Sequence, residues 1–341
     1  MMHAIGYKTP APITEAGSLV DIQLPTPMAE GRDLLVEIKA VSVNPVDYKV
    51  RLSPRPNQAD WKVLGWDAAG VIRSIGGEVK RFRPGDPVFY AGSLSRPGTN
   101  AEFHLVDERI VGTKPKTLSW AQAAALPLTA LTAWESLFER LDVKKAVSGA
   151  TPAILIVGGA GGVGSVAIQM ARALTDLTVV ATASRPESRE WVSRLGAHHV
   201  IDHSKPLAGE FAALGIGAPA FVFSTTQTAK HIGEIEKLIA PQGRFGLIDD
   251  PSTFDAMIFK PKSVSIHHEF MFTRSMFGTA DMGEQGKILD DVSRLVDEGR
   301  LETTLTQRLS PINAENLKIA HALLESGAAI GKIVLEGFAH P

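Results

Sequence analysis

The sequence predicts an α/β protein that combines a β-barrel-like domain with a doubly wound parallel sheet. Short strand-like segments punctuated by Pro and Gly fill residues 1 to about 118. A stretch rich in Ala and Leu follows, and from Pro152 onward apolar strand-like segments alternate with helical ones. This alternation is typical of a parallel sheet that carries helices on both faces.

The composition is that of an ordinary globular protein of about two domains. The chain has 341 residues and a formal net charge of −2, so no basic surface favours nucleic acid or an anionic membrane. It contains no Cys, which excludes disulfides, thiolate nucleophiles and Cys-ligated zinc. The N-terminus lacks a secretory pattern, and no apolar run approaches the ~20 residues of a membrane span. We therefore expect a cytoplasmic protein without a nucleic-acid or membrane partner.

The first region contains several strands and then a long helical stretch. Strands are predicted at 34–44, 68–76 and 100–106, and a turn that leads into a strand at 83–90, because these segments are apolar or alternating and are bounded by turn residues. The stretch Leu118–Leu141 is predicted to be mostly helical, with Pro127 as an interruption or as a first helical residue.

The second region follows the rhythm of a parallel sheet. Strands are predicted at 153–157, 178–183, 199–202, 220–224, 244–248 and 263–267, with a helix from Gly164 and another that ends at Gly196. The tail holds a helix at 281–298 and a strand at 331–337, which we expect to rejoin the first domain because it cannot form a core alone. The predicted domains are 1–124 with 271–341, and 125–270.

A glycine-rich turn after the strand 153–157 carries the strongest local signal. A G-x-G-x-x-G pattern lies between this apolar strand and a helix, which is the context that a dinucleotide site requires. Gly161 would let the backbone approach a pyrophosphate, and Gly164 would let the helix pack against the strand. The helix N-terminus would supply N–H donors. The residues of the pattern are Gly159, Ala160, Gly161, Gly162, Val163 and Gly164.

The end of the second strand of this sheet predicts which dinucleotide binds. NAD sites usually place an acid there, on the ribose hydroxyls, whereas this strand ends in Thr182-Ala183-Ser184-Arg185. Ser184 and Arg185 could bind a 2′-phosphate, which favours NADPH over NADH. The alternative is that Ser184 is only the N-cap of a helix and Arg185 a solvated charge.

Several segments together resemble the medium-chain dehydrogenase/reductase superfamily over nearly the whole chain. The sequence looks closest to the zinc-less quinone oxidoreductase branch, and more narrowly to a bacterial group labelled zinc-type alcohol dehydrogenase-like. The resemblance implies a GroES-like catalytic domain, a Rossmann cofactor domain, an active site in a cleft and a homodimer. It rests on AVSVNPVDYKVR (40–51), LGWDAAGVI (64–72), RFRPGDPVFY (81–90), AAALPLTALTAWE (123–135), VGGAGGVG (157–164) and MFTRSMF (271–277).

The same resemblance argues against a catalytic zinc. The first Cys ligand of the zinc-dependent relatives falls on Asn44 and the His ligand on Trp66, while Asp67 keeps the acid position. Asn and Trp are poor zinc ligands. Without a Lewis acid, hydride addition to a conjugated C=C is easier than direct ketone reduction. We therefore expect an NADPH-dependent reductase of quinones or α,β-unsaturated carbonyls, with no metal.

Three residues are the catalytic candidates. Asn44 could donate a hydrogen bond to the substrate oxygen, Tyr48 could donate a bond or a proton, and Trp66 could wall a pocket for flat rings. Asn44 in a simple turn, and Tyr48 and Trp66 as packing residues, are the alternatives, and Asp47 is expected to hold the loop. The resemblance also brings His203 near the adenosine phosphate, and Thr129 or Thr132 near the nicotinamide.

Two other functions are compatible with these residues. The protein could be an alcohol dehydrogenase-like oxidoreductase that acts on an alcohol or a carbonyl through Tyr48 or another electrophilic group. It could also be a non-catalytic NADPH-binding protein. In all three cases the partner is a small molecule.

Overall fold

The computed structural model describes residues 1–54 and 59–339, and the chain divides into two compact units. The first unit contains Met1–Leu131 and Phe272–Pro341, and the second contains Thr132–Met271. Residues 125–131, which were expected in the cofactor domain, group with the first unit.

The described residues form three β-sheets and a set of helices. In chain order the strands are β1 (Met2–Tyr7), β2 (Val20–Leu24), β3 (Asp33–Ser42), β4 (Lys62–Val63), β5 (Asp67–Ile75), β6 (Pro87–Tyr90), β7 (Phe103–Asp107), β8 (Val111–Thr113), β9 (Thr151–Val157), β10 (Thr178–Thr182), β11 (His199–Ile201), β12 (Pro219–Ser224), β13 (Arg244–Leu247), β14 (Ser265–His268), β15 (Leu305–Leu309) and β16 (Lys332–Glu336). The α-helices are α1 (Pro45–Leu52), α2 (Trp120–Ala124), α3 (Pro127–Trp134), α4 (Gly162–Leu174), α5 (Pro186–Arg194), α6 (Leu207–Ala212), α7 (Thr228–Leu238), α8 (Thr273–Phe277), α9 (Glu284–Asp297) and α10 (Ala314–Glu325).

The first unit is built on mainly antiparallel strands. One sheet has the order β2-β1-β4, and a larger one has the order β15-β16-β3-β5-β6-β8, with β7 also paired to β3. β16 runs antiparallel to β3, with Val334 opposite Ser42. The prediction that the tail strand rejoins the first domain is therefore confirmed.

The second unit is a parallel sheet in the order β11-β10-β9-β12-β13-β14. β9 and β12 lie side by side although two other strands separate them in sequence, so the chain changes direction of winding there. In such sheets ligands bind beyond the carboxyl ends of the strands, at the place where the direction of winding changes. The apolar core on this sheet includes Leu155, Val180, Val222 and Phe245.

The helical elements agree with the prediction in one place and differ from it in others. The stretch 118–141 is mostly helical, as predicted: it contains α2, α3 and a π-helical turn, Glu135–Arg140, and Pro127 is the first residue of α3. A proline is tolerated there because the first N–H groups of a helix have no partner within it. α4 begins at Gly162, two residues before the predicted start. The sequence interpretation also missed α1, α10, β1, β2 and β15.

No α-helix in the described ranges, 1–54 and 59–339, is both long and apolar enough to cross a membrane.

Candidate active site

The start of α1 is fixed by a reciprocal cap. Asn44 is the N-cap residue, Pro45 is the first helical residue, and the Asn44 N–H donates to Asp47 Oδ2 at 2.7 Å. Asp47 therefore holds the loop, as the sequence predicts. Burial raises the pKa of Asp47 to about 7, although the Asn44 N–H partly opposes this shift.

A buried polar network joins Asn44 to Asp67 and Lys332. The Asn44 amide nitrogen donates to Asp67 Oδ2 at 2.8 Å. Lys332 Nζ donates to the same carboxylate oxygen at 2.9 Å, to Val43 O at 2.9 Å and to Asn44 Oδ1. Asn44, Asp67 and Lys332 are 2%, 0% and 3% exposed, so water does not compete for these bonds.

Asp67 ties together three elements of the first unit. Its Oδ2 binds Asn44 and Lys332, and its Oδ1 accepts the N–H of Leu128 in α3 at 2.7 Å. Burial raises the pKa of Asp67, and the Lys332 ammonium, the Asn44 amide and the Leu128 N–H oppose that shift by stabilising the carboxylate. Asp67, the acidic residue of the segment LGWDAAG, therefore anchors β16 and α3 to β5.

The two other catalytic candidates have different surroundings. Tyr48 is half-buried on α1, and its hydroxyl makes no hydrogen bond to another residue of the described chain. Trp66 is 1% exposed, donates its indole N–H to Ser93 O at 3.1 Å, and meets the Phe272 ring edge-on at 6.2 Å. This burial favours the packing alternative for Trp66, and its role as a pocket wall remains a prediction.

The glycine-rich turn connects β9 to α4. A Cβ on Gly164 would lie 2.4 Å from Gly158 O, and a Cβ on Gly159 would lie 2.9 Å from the Ala181 side chain. Real Cβ atoms do not approach other atoms so closely, so both glycines are required by the packing of the helix against the strands. This agrees with the predicted role of Gly164.

Gly161 has no such internal reason to be glycine. Its φ of −71° is open to any residue, and a Cβ there would meet only Gly158 O, at an ordinary 3.5 Å. Gly161 is the N-cap of α4 and offers no side chain to bind the first N–H groups of this helix. A side chain at 161 would obstruct the approach to these donors. The turn therefore fits the phosphates of a bound dinucleotide.

Ser184 and His203 lie together beyond the end of β10. His203 Nε2 is 3.1 Å from Ser184 Oγ, and His203 Nδ1 is 3.1 Å from Thr182 Oγ1, which accepts the Gly158 N–H at 3.0 Å. This chain of bonds links the predicted 2′-phosphate residues to the glycine-rich turn. Burial lowers the pKa of His203, and nearby Lys230 and Arg185 act in the same direction, which favours the neutral ring.

The start of α5 contradicts the alternative that Ser184 is the N-cap of this helix. The N-cap is Arg185 rather than Ser184, and Pro186 is the first helical residue. The Arg185 N–H donates to Ser188 Oγ at 3.2 Å, while the Arg185 side chain is exposed. Ser184 is therefore not the cap of this helix, and its hydroxyl is hydrogen-bonded to His203 instead.

Thr129 and Thr132 are both buried in α3. Thr129 Oγ1 donates to Leu126 O at 3.0 Å, the carbonyl of the residue just before its own helix. A cofactor contact by either residue remains a prediction.

Comparison with known proteins decides the family. A family model described as "Alcohol dehydrogenase GroES-like domain" matches residues 30–131, and one described as "Zinc-binding dehydrogenase" matches residues 195–335. A "Zinc-type alcohol dehydrogenase-like protein" of Staphylococcus epidermidis is 37% identical, with 98% of this chain and 99% of that protein covered. The chain belongs to the medium-chain dehydrogenase/reductase superfamily. It is an oxidoreductase with a GroES-like domain and a Rossmann-like nicotinamide cofactor domain.

Two further relatives of this superfamily are informative. The crystal structure of a putative zinc-dependent alcohol dehydrogenase from Rhizobium etli CFN 42 is 73% identical, has a TM-score of 0.98, and covers 99% of each chain. A 2-methylene-furan-3-one reductase of Solanum lycopersicum is 30% identical, with 89% of this chain and 71% of that protein covered.

The residues present do not fit the catalytic zinc that the names of such relatives imply. Zinc ligands are Cys, His or carboxylate, whereas the Trp66 indole offers only an N–H, which Ser93 O accepts. The Lys332 ammonium already lies against both Asn44 Oδ1 and Asp67 Oδ2. Within residues 1–54 and 59–339, no group of three or more His, Cys, Asp or Glu side chains could hold a metal ion.

A second buried polar cluster lies in the Rossmann-like unit, on the π-helical turn and beyond β14. Glu135 and Glu269 are 1% and 6% exposed, and Glu269 Oε2 accepts from Arg140 Nε at 2.8 Å. Burial, followed by the nearby Glu135 carboxylate, raises the pKa of Glu269 to about 8, against the opposing effect of Arg140. Burial and the neighbouring carboxylate thus favour a bound proton on this pair of carboxyl groups.

This cluster makes stability depend on pH. Because the pKa of Glu269 is about 8 in the folded chain and 4.5 ordinarily, folding takes up a proton between these values. The contribution of Glu269 is complete below about pH 4.5 and is lost as the pH rises through about 8. We expect Glu269→Gln to unfold at a higher urea concentration than the wild type at about pH 8.5, and at a similar one at about pH 4. Parallel pH profiles for the two proteins would contradict this assignment, and Glu284→Gln, at an exposed position, is the control.

The sequence interpretation missed Lys332. The signal was present, because Lys332 directly precedes the apolar centre, Ile333–Leu335, of the strand Lys332–Glu336, where a buried charge is expected to have a partner. Its partners, Asn44 and Asp67, were both singled out, but nothing in the local sequence connects them to it.

Proposed function

We propose that this protein is an NADPH-dependent oxidoreductase that reduces quinones or α,β-unsaturated carbonyls by hydride transfer, without a catalytic zinc. The observation that carries the proposal is the set of hydrogen bonds made by the Asn44 side-chain amide. Its oxygen is bound by Lys332 and one N–H by Asp67, while the second N–H makes no hydrogen bond within the described chain. A fixed amide with one unused donor suits a site that must stabilise an oxyanion.

The chemistry follows from where negative charge develops. Bound NADPH supplies the hydride. When hydride adds to a C=C bond conjugated with a carbonyl, the charge delocalises onto the carbonyl oxygen, where the spare N–H of Asn44 stabilises it. Tyr48, whose hydroxyl has no partner among the described residues, then donates a second hydrogen bond or the proton.

The enone part of the substrate class has support from the name of a relative. The name of the tomato protein, a 2-methylene-furan-3-one reductase, describes a C=C bond conjugated with a ketone. The names of the Staphylococcus and Rhizobium proteins instead describe alcohol dehydrogenases, so alcohol oxidation is the function to test against.

The function is tested with a panel of quinones, enones, ketones and simple alcohols, with both nicotinamide cofactors. We expect NADPH oxidation with quinones or enones, unaffected by chelators. Asn44→Ala is expected to lower kcat about 100-fold, because removing one oxyanion donor costs 10²–10³. Turnover of alcohols but not of enones would favour the alcohol dehydrogenase function. NADPH binding without any turnover would favour a non-catalytic protein.

The cofactor preference is tested at Arg185. A charge-assisted hydrogen bond to a 2′-phosphate contributes about 1.5–3 kcal/mol, so Arg185→Ala is expected to weaken NADPH binding about tenfold or more and leave NADH binding unchanged. Isothermal titration of both cofactors measures this, with Lys205→Ala as a control at an exposed position of the same unit. An unchanged ratio of the two dissociation constants would remove Arg185 from the site. The homodimer and the cytoplasmic location remain predictions.

A further inference from the structure

Lys332 is fully satisfied where it lies. Its ammonium has three N–H groups, and these have three acceptors: Val43 O, Asn44 Oδ1 and Asp67 Oδ2. The side chain is 3% exposed and extends from β16, which pairs with β3. The ammonium therefore occupies a fixed position that backbone, amide and carboxylate acceptors define together.

The chemistry of these partners determines the orientation of the Asn44 amide. An ammonium can only donate and a carboxylate can only accept, so Asn44 Oδ1 must face Lys332 and its NH₂ group must face Asp67. Without the Lys332 ammonium, the Asn44 amide oxygen would lose its charged donor, and only Asp67 and the capping contact with the Asp47 N–H would hold the amide. The direction of the spare N–H thus depends on Lys332 together with these two contacts.

We propose that Lys332 is a positioning residue of the active site, which fixes the Asn44 amide so that its unused N–H is presented to the substrate oxygen. This rests on the proposed function for its consequence in turnover. The proposal also makes a separate claim, namely that the network of Asn44 and Asp67 requires a cation at the position of the Lys332 ammonium. Lys332 touches neither substrate nor cofactor in this role, and it acts only through Asn44.

The kinetic test compares Asp67→Asn with Asp67→Asn/Lys332→Met. Both variants lack the buried carboxylate, and Met has a stem of similar length to Lys, so the main difference is the ammonium, which Asp67→Asn keeps without its carboxylate partner and the double variant lacks. We expect kcat for an enone to be about tenfold or more lower in the double variant, with the KM for NADPH within about twofold. Equal kcat values, or a change confined to KM, would overturn the proposal. Lys287→Met, at an exposed lysine, is the control.

Chemical rescue tests the role of Lys332 separately from the proposed function. Lys332→Gly leaves a cavity with the length of a four-carbon amine, so n-butylammonium is expected to raise its Tm and its kcat saturably, whereas n-butanol is not. If the wild type turns over no substrate, the proposed function fails, but the rise in Tm still tests the need for a cation. Absence of any saturable rise with n-butylammonium would overturn the role of Lys332, even in an active enzyme.

Discussion

Lys332→Met is expected to lower the free energy of unfolding by about 3–5 kcal/mol, because removing one partner of a buried ion pair leaves the other charge uncompensated. The Asp67 carboxylate is 0% exposed, and Lys332 is its cationic partner at 2.9 Å. The same change leaves Val43 O and Asn44 Oδ1 without their donor. Equilibrium urea unfolding at neutral pH measures the effect.

The companion change to this prediction is Asp67→Asn in the Lys332→Met background. It removes the buried charge, so we expect most of the lost stability to return, since neutral replacements of buried ion pairs are often tolerated. If the double variant were as unstable as Lys332→Met alone, the loss would come from packing of the lysine stem and not from the uncompensated carboxylate.

The second large effect is expected in the glycine-rich turn. Gly164→Ala should destabilise the Rossmann-like unit by about 3 kcal/mol, because its Cβ would lie 2.4 Å from Gly158 O and 2.7 Å from Gly159 Cα, which forces the backbone apart. Gly161→Ala should cost at most about 1 kcal/mol, since its backbone and surroundings admit a Cβ.

Gly161→Ala and Gly164→Ala should also differ in their effect on cofactor binding. Gly161→Ala is expected to raise the Kd for NADPH about tenfold or more at nearly unchanged Tm, because the added methyl group stands before the N–H donors of α4. Thermal unfolding and titration of each variant give the comparison. A Gly161→Ala protein that binds NADPH normally would show that the phosphates do not approach this residue.

The fold was predictable where its signals are local. The glycine-rich turn and the apolar strands of the parallel sheet follow from periodicity and turn residues within short windows. The return of the tail strand follows instead from the size of the tail, which cannot form a core alone. α10 also had a usable signal, since Asn313 caps a helix whose buried face includes Leu317 and His321. The π-helical turn had none, because Leu141 donates to Ser136 O through a pattern that composition does not reveal.

The site was predictable in part for a different reason. Asn44, Asp47 and Asp67 stand close to recognisable motifs, whereas Lys332 reaches them only through the register of β16 against β3. A single sequence does not specify the register between strands that are far apart in the chain. The burial of Trp66 was equally hidden, because an aromatic residue beside Gly65 suits a pocket wall and a core position alike.

The position of Lys332 near the end of the chain also constrains how the protein is made. Asn44 and Asp67 leave the ribosome long before Lys332, which lies 288 and 265 residues further along. At roughly 5–20 residues per second, this delay is on the order of tens of seconds. During that time the nascent first unit holds a carboxylate whose counter-ion has not been synthesised, and its main sheet lacks β16. The Rossmann-like unit, which is continuous in sequence, can fold first. We therefore expect ribosome-bound chains that end before residue 332 to resist proteolysis in the second unit while the first remains susceptible.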